Sequence, residues 1–154
     1  MKRLLTALFG LTACTCVGAE PALDQCRQRV IDYAYFWDHD DGAGFADLFT
    51  ADATLTLGGN TFSGRDAIVE RMMANGPVLR HLMSTVRVTA VDAGSARGVS
   101  YVTVYAAEPV ADGLPSVDGF ALLGEYHDTF VIDATGCRIS ERRLVPVMRQ
   151  ARAS

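Results

Sequence analysis

The sequence predicts an α+β fold: three N-terminal helices packed on a strongly curved antiparallel sheet, the two layers forming a cone-shaped barrel. Three observations carry this. Leu23, Cys26, Val30, Tyr33, Ala34 and Trp37 recur at three-and-four spacing and make one apolar helical stripe. Asp38-His39-Asp40-Asp41-Gly42 breaks that helix, and Ser63-Gly64-Arg65-Asp66 opens another after a short hairpin. From His81 onward the chain turns to long runs rich in Val, Thr and Tyr, separated by Asp/Gly turns. Helices first and strands afterwards place one layer on the other, and the mouth of such a cone is a small-molecule pocket.

Taken in order, the first helix is expected from Pro21 to Trp37, with Arg27, Arg29 and Asp32 off its apolar stripe. After the acidic break, where an Asp can cap the next helix, a short second helix runs from Ala43 to Phe49. Thr54 to Leu57 alternates as a strand, Gly58-Gly59-Asn60 turns it, and Thr61-Phe62 begins the return. The third helix spans Arg65 to Ala74 and stops at Asn75-Gly76-Pro77. Long strands then cover His81–Val91, Ala96–Ala107, Phe120–Ile132 and Cys137–Val147, with a Pro/Gly loop over Glu108–Gly119 and a flexible tail over residues 148–154.

The first nineteen residues read as a signal peptide. Lys2 and Arg3 are positive, Leu4 to Val17 is apolar but too short to span a bilayer, and Val17-Gly18-Ala19 is a small-residue cleavage signal before Glu20. The domain is thus expected over 20–147, in a periplasmic or secreted protein. The alternative is a lipoprotein anchored through Cys14, since Leu11-Thr12-Ala13-Cys14 resembles a lipobox. Cleavage after Ala19 leaves only Cys26 and Cys137, which form one disulfide or stay as two buried thiols. With 154 residues, 49% hydrophobic and 21% charged, the chain is one domain with a packed core, and a net charge of −4 disfavours nucleic acid or an anionic membrane as partner.

Seven pieces of sequence in this order resemble the SnoaL-like branch of the nuclear-transport-factor-2-like (NTF2-like) superfamily. They are Tyr33-Ala34; Asp38 to Asp41; Phe45 to Ala53; Gly64 to Ile68; Arg80-His81-Leu82 with Tyr126-His127-Asp128; and Gly136 to Arg143. The resemblance covers roughly Leu23 to Val147 and implies the cone fold, a homodimer through the open sheet face, and a pocket. In dehydratase-like members a His enters the cavity at the start of the strand after the third helix, and His81 matches it. A Tyr-Asp pair near the end of the first helix contributes polar groups from the other side, for which Asp38 and Asp41 are the candidates, with Tyr33 one to two turns earlier. Two departures stand out. The position of a second His falls near Ala106, and the usual Gly-Trp of the last hairpin is Gly136-Cys137, which favours the disulfide between Cys26 and Cys137.

The chemistry comes from residue types. An imidazole such as that of His81 can take or give a proton, and a carboxylate at Asp38 would fix its tautomer, so the pair suits proton removal next to a carbonyl or expulsion of a hydroxyl. Tyr33, Trp37, Tyr101, Tyr126 and Asp128 are the expected ligand-binding residues, the phenols as oxyanion donors. Tyr101 and Tyr105 share a strand face, and His127 alternates away from Tyr126 and Asp128. Glu141-Arg142-Arg143 reads as an ion-pair network with Asp128 or another acid across the sheet, or as an Arg favouring an anionic ligand. The mature sequence has no paired His or Cys spacing, so no metal and no cofactor are expected, and no serine elbow or phosphate loop occurs. Three functions remain: an exported acid–base enzyme of dehydratase, isomerase or cyclase type on a small apolar cyclic or carbonyl ligand; a non-catalytic small-molecule-binding protein; or a dimeric module whose pocket is filled by Met72, Met73 or Met83.

Overall fold

The computed structural model describes residues 19–74 and 76–151. Residues 1–18 of the expected signal peptide, including the lipobox at Cys14, Asn75 of the helix stop and the last three residues of the tail lie outside the described residues. The elements are α1 (Ala19–Asp38), α2 (Gly42–Ala46), β1 (Phe49–Leu57), β2 (Asn60–Ser63), α3 (Arg65–Met73), β3 (Val78–Ala90), β4 (Ser95–Ala107), β5 (Leu122–Asp133) and β6 (Gly136–Arg149). The strand order is β2-β1-β6-β5-β4-β3.

The α+β architecture stands, with two corrections to the expected sheet. It is open, with β2 and β3 as its edges, so the cone is not a closed barrel. It is also mixed, because β1 and β6 pair in parallel. A tight hairpin forces antiparallel pairing, as between β5 and β6, but β1 and β6 are separated by the path through β2, α3 and three long strands, so no turn dictates their direction. The same pairing shortens α2. Ile139 N–H donates to Leu48 C=O at 2.8 Å, and Phe49 pairs with Ile139 at the start of β1 instead of ending the helix. At the other end of the sheet, β6 continues through Met148 and Arg149, paired with Leu123 and Leu122.

Register shifts in β3 between Ser84 and Arg87, and in the β5–β6 pair at Thr129/Phe130, bend the sheet around α1. Thr85 sits in the first of these with φ 49°, a conformation that β-branched residues rarely adopt. The inner faces meet in one core. Cys26, Val30, Tyr33 and Trp37 of α1 pack with Phe45, Leu48 and Phe49, and with Tyr126, Phe130 and Ile139 of the sheet.

A disulfide joins Cys26 of α1 to Cys137 of β6, with Cα atoms 5.3 Å apart and a sequence separation of 111 residues. Beside it, Arg29 Nε donates to Cys137 C=O at 2.9 Å. The bond fastens the first helix to the last strand, and a loop of this length restricts the unfolded chain strongly. The Cys26→Ala/Cys137→Ala variant is expected to lose about 2–4 kcal/mol, read as a lower urea midpoint. An unchanged midpoint would show that the bond adds nothing to a clasp already made by packing.

Candidate functional site

Two elements build the site. The last turns of α1 bring Tyr33 and Trp37, four apart on one stripe, to the core face and carry Asp38 to the helix end. The chain then reverses through Asp40, at φ 54°, and Asp41 caps α2 by accepting from Gly44 N–H at 2.9 Å. Opposite, alternation on β3 turns Leu79, His81 and Met83 inward.

Asp38 grips His81 twice. One carboxylate oxygen accepts from the His81 backbone N–H at 2.8 Å and the other meets Nδ1 at 2.6 Å. The side chains of His81 and Asp38 are only 4% and 7% exposed. A carboxylate accepts and does not donate, so the proton lies on Nδ1 and Nε2 keeps its lone pair when the ring is neutral. The imidazole stands 5.5 Å from the Trp37 ring and 6.2 Å from Tyr33, centre to centre. The sequence-derived pair is therefore brought together in hydrogen-bond contact.

Deeper in the core lies a second polar layer. Tyr33 and Tyr126 are 5.3 Å apart, and the Arg142 guanidinium sits 4.1 Å from the first ring centre and 4.5 Å from the second. Arg142 Nε and Nη2 donate to the two oxygens of Asp128 at 2.8 and 2.7 Å, and both side chains are 0% exposed. The sequence points to an ion-pair network of Glu141-Arg142-Arg143 with Asp128 or another acid; the structure selects Arg142 and Asp128 and places the pair against Tyr33. Burial works against the Arg142 charge, and the Asp128 carboxylate more than offsets this, so the guanidinium is held more firmly protonated than usual. Among the described residues the Tyr33 hydroxyl, the Ser100 hydroxyl and Arg142 Nη1 are buried with no hydrogen-bond partner. Such groups are normally satisfied by a water or a ligand atom.

Burial raises both phenols, Tyr33 well above its ordinary value of 10.0 and Tyr126 in the same direction. Around Tyr33 the neighbouring Tyr126 adds to the rise, whereas Arg142 opposes it in both. A raised native pKa means that the unfolded chain ionises first. The stability these phenols contribute is full below pH 10.0 and falls as pH rises toward their native values. In an alkaline titration the phenolate absorbance of Tyr33 and Tyr126, assigned by comparison with Tyr33→Phe and Tyr126→Phe, is expected to appear only together with loss of the circular-dichroism signal. Phenolate formation at Tyr33 in the folded protein would contradict the closed packing of this layer.

Tyr101 does not join the site. It is 45% exposed on the outer sheet face, opposite Ser84 and Glu125, because Ser100 and Val102 take the inward positions. His127 is also outward and meets Glu125 through Nε2 at 2.9 Å. His39 stacks on Tyr35 at the helix end. Among the described residues no group of three or more His, Cys, Asp or Glu side chains is placed to hold a metal.

A cleft of about 560 Å³ opens at the mouth of the cone, lined by Trp37, Asp38, Arg71, Met72, Arg80, Pro109 and neighbours. It touches the Asp38 side of the dyad. Another hollow, of about 600 Å³, lies at the far end between Leu23, Ala93, Ile132 and Thr135 and contains none of the candidate residues.

The SnoaL-like domain family matches residues 21–143. A search of the curated proteins finds no match. Among solved structures, a variant of Rv3472 from Mycobacterium tuberculosis, a protein of unknown function, is 26% identical with a TM-score of 0.70, over 84% of this chain and 73% of that one. A candidate scytalone dehydratase from Novosphingobium aromaticivorans is 22% identical with a TM-score of 0.66, over 88% of this chain and 91% of that one. An NTF2-like protein with a cystatin-like fold from the same organism is 19% identical with a TM-score of 0.70, over 90% and 92%. The last two likenesses speak for the fold alone.

Proposed function

The chain belongs to the SnoaL-like domain family, and from that membership and its buried histidine–carboxylate pair we propose that it is an acid–base enzyme acting on a small, largely apolar ring compound bearing a carbonyl. One observation carries this reading: Nδ1 of His81 is 2.6 Å from Asp38, beside a cleft of ligand size. With Nδ1–H held by Asp38, Nε2 is the base. It takes a proton from the carbon next to a carbonyl, and the electron pair moves into a new double bond as charge develops on oxygen. The imidazolium, stabilised by Asp38, then returns the proton. Returned to a departing hydroxyl, it releases water, which is dehydration; returned to another carbon, it completes an isomerisation.

The test is solvent deuterium exchange at the α-carbons of cyclic ketones such as cyclohexanone and α-tetralone, followed by proton NMR. Exchange above the buffer rate, rising with pH through one basic group, is the expected result. The absence of any protein-dependent exchange across both ketones would sink the enzyme reading.

One observation favours a second reading, a binding protein without turnover: the cleft is lined by Trp37 and Asp38 but not by His81 itself. Ligand binding without exchange would select it. Export before Glu20 and a homodimer through the sheet belong to the same proposal. The Cys26–Cys137 disulfide supports the first, since such bonds persist in oxidising compartments, and exposed Leu82, Tyr101 and Met148 on the outward face support the second.

A further inference from the structure

We propose that the ligand of the mouth cleft carries an anionic group, a carboxylate or similar oxyanion, held by Arg71 and Arg80 while its apolar body lies on Trp37. The inference rests on the acid–base reading for the place of the ligand and adds the ligand's charge.

Both arginines line the cleft, and their guanidinium groups are anchored by neutral partners. Arg71, in the last turn of α3, lies 5.7 Å from the Trp37 ring centre and 5.9 Å from that of Phe62. Contacts of this kind hold a cation over an aromatic face without neutralising it. Arg80, at the start of β3, donates through Nη1 to Leu79 C=O at 2.6 Å and to Asp38 C=O at 3.1 Å. Among the described residues neither Arg71 nor Arg80 forms an ion pair with a carboxylate, in contrast to Arg27, Arg138 and Arg142. Their remaining N–H groups are free to form the paired, charge-assisted bonds that a planar oxyanion accepts.

The two acids of the cleft balance the two arginines formally, yet neither meets them in an ion pair among the described residues. Both oxygens of Asp38 are turned to His81. That leaves Asp40, an exposed side chain at the helix break. The rest of the lining is largely apolar: Trp37, Met72, Met73, Pro77, Leu79 and Pro109. An amphipathic ligand, ring on the aromatic and thioether wall and oxyanion between the arginines, fits this distribution. It also fixes which end of the ligand faces Asp38 and His81.

Trp37 is the single tryptophan of the chain, so its fluorescence reports occupancy of this cleft. The probes are cyclohexylacetate and its neutral counterpart cyclohexylacetamide, both transparent to tryptophan light. In the wild type at low ionic strength the carboxylate is expected to bind at least about ten-fold tighter than the amide. Arg71→Met and Arg80→Met should each remove most of that preference, the carboxylate losing far more affinity than the amide, while Arg71→Lys and Arg80→Lys retain part of it. Calorimetry repeats the measurement independently of the altered tryptophan environment in the Arg71 variants. If the amide binds as well as the carboxylate, or the preference survives both Met variants, the anion proposal falls and the acid–base reading stands. If neither probe binds by fluorescence or calorimetry, the cleft is not the ligand site and both fall.

Discussion

Replacing Asp128 with alanine is expected to lower the unfolding free energy by about 3–5 kcal/mol, because it strands a buried cation. The Arg142 guanidinium is wholly enclosed, with Tyr33 and Tyr126 on its faces and both Asp128 oxygens on its edge. It cannot lose its proton, and the rings that hold it prevent it from reaching water. The reverse change should cost less. In Arg142→Met the orphan is a carboxyl, which neutralises itself by taking a proton. The expected order of stability is therefore wild type, then Arg142→Met, then Asp128→Ala. The double variant Asp128→Leu/Arg142→Met should recover much of the loss, since an apolar pair of similar volume escapes desolvation of two charges. Urea unfolding followed by circular dichroism and Trp37 fluorescence measures all four. Asp128→Ala within about 1 kcal/mol of wild type would mean that water reaches Arg142, and the closed description of this layer would be wrong.

The sequence made the helical half of the architecture legible, because periodicity is a local property. The stripe from Leu23 to Trp37 and the acidic break after it are both where spacing placed them. The pairing of Asp38 with His81 came from resemblance joined to residue chemistry. Spacing alone cannot bring together two residues 43 apart in the chain. What the sequence hid was long-range. Alternation says that Tyr101, Thr103 and Tyr105 share a face but not which face is inside, and Tyr101 is outside. Alternation is equally silent on strand direction, so the parallel pairing of β1 with β6 left no local trace. The same holds for Leu48 and Phe49, whose apolar pattern suits a helix until Ile139 claims the Leu48 carbonyl. The central position of Arg142 was hidden for an energetic reason. Charged residues are rarely enclosed unless paired, and the cross-strand register of Asp128 with Arg142 is what selects this partner from the acids and arginines the sequence offers.

His81→Asn is expected to lower the rate of the proton-transfer reaction by about 10²–10⁴-fold, the usual contribution of a positioned acid–base group. It should leave the Michaelis constant nearly unchanged. The residues that line the cleft, Trp37, Arg71, Met72 and Arg80, lie outside the imidazole, so ligand binding survives its removal. Asp38→Asn should behave differently. Its amide nitrogen cannot accept the His81 Nδ1 proton, and the backbone N–H of His81 competes for the one remaining oxygen. The ring then loses both its fixed tautomer and the counter-charge for its cationic form. The rate should fall, because the imidazole is no longer held in place and the charge it gains is no longer balanced. A mere helix-end cap would change stability and leave the rate of the folded protein where it was. Rates measured on wild type, His81→Asn and Asp38→Asn decide the matter. A His81→Asn protein that keeps the wild-type rate would remove the imidazole from the mechanism and leave the dyad a structural clasp between α1 and β3.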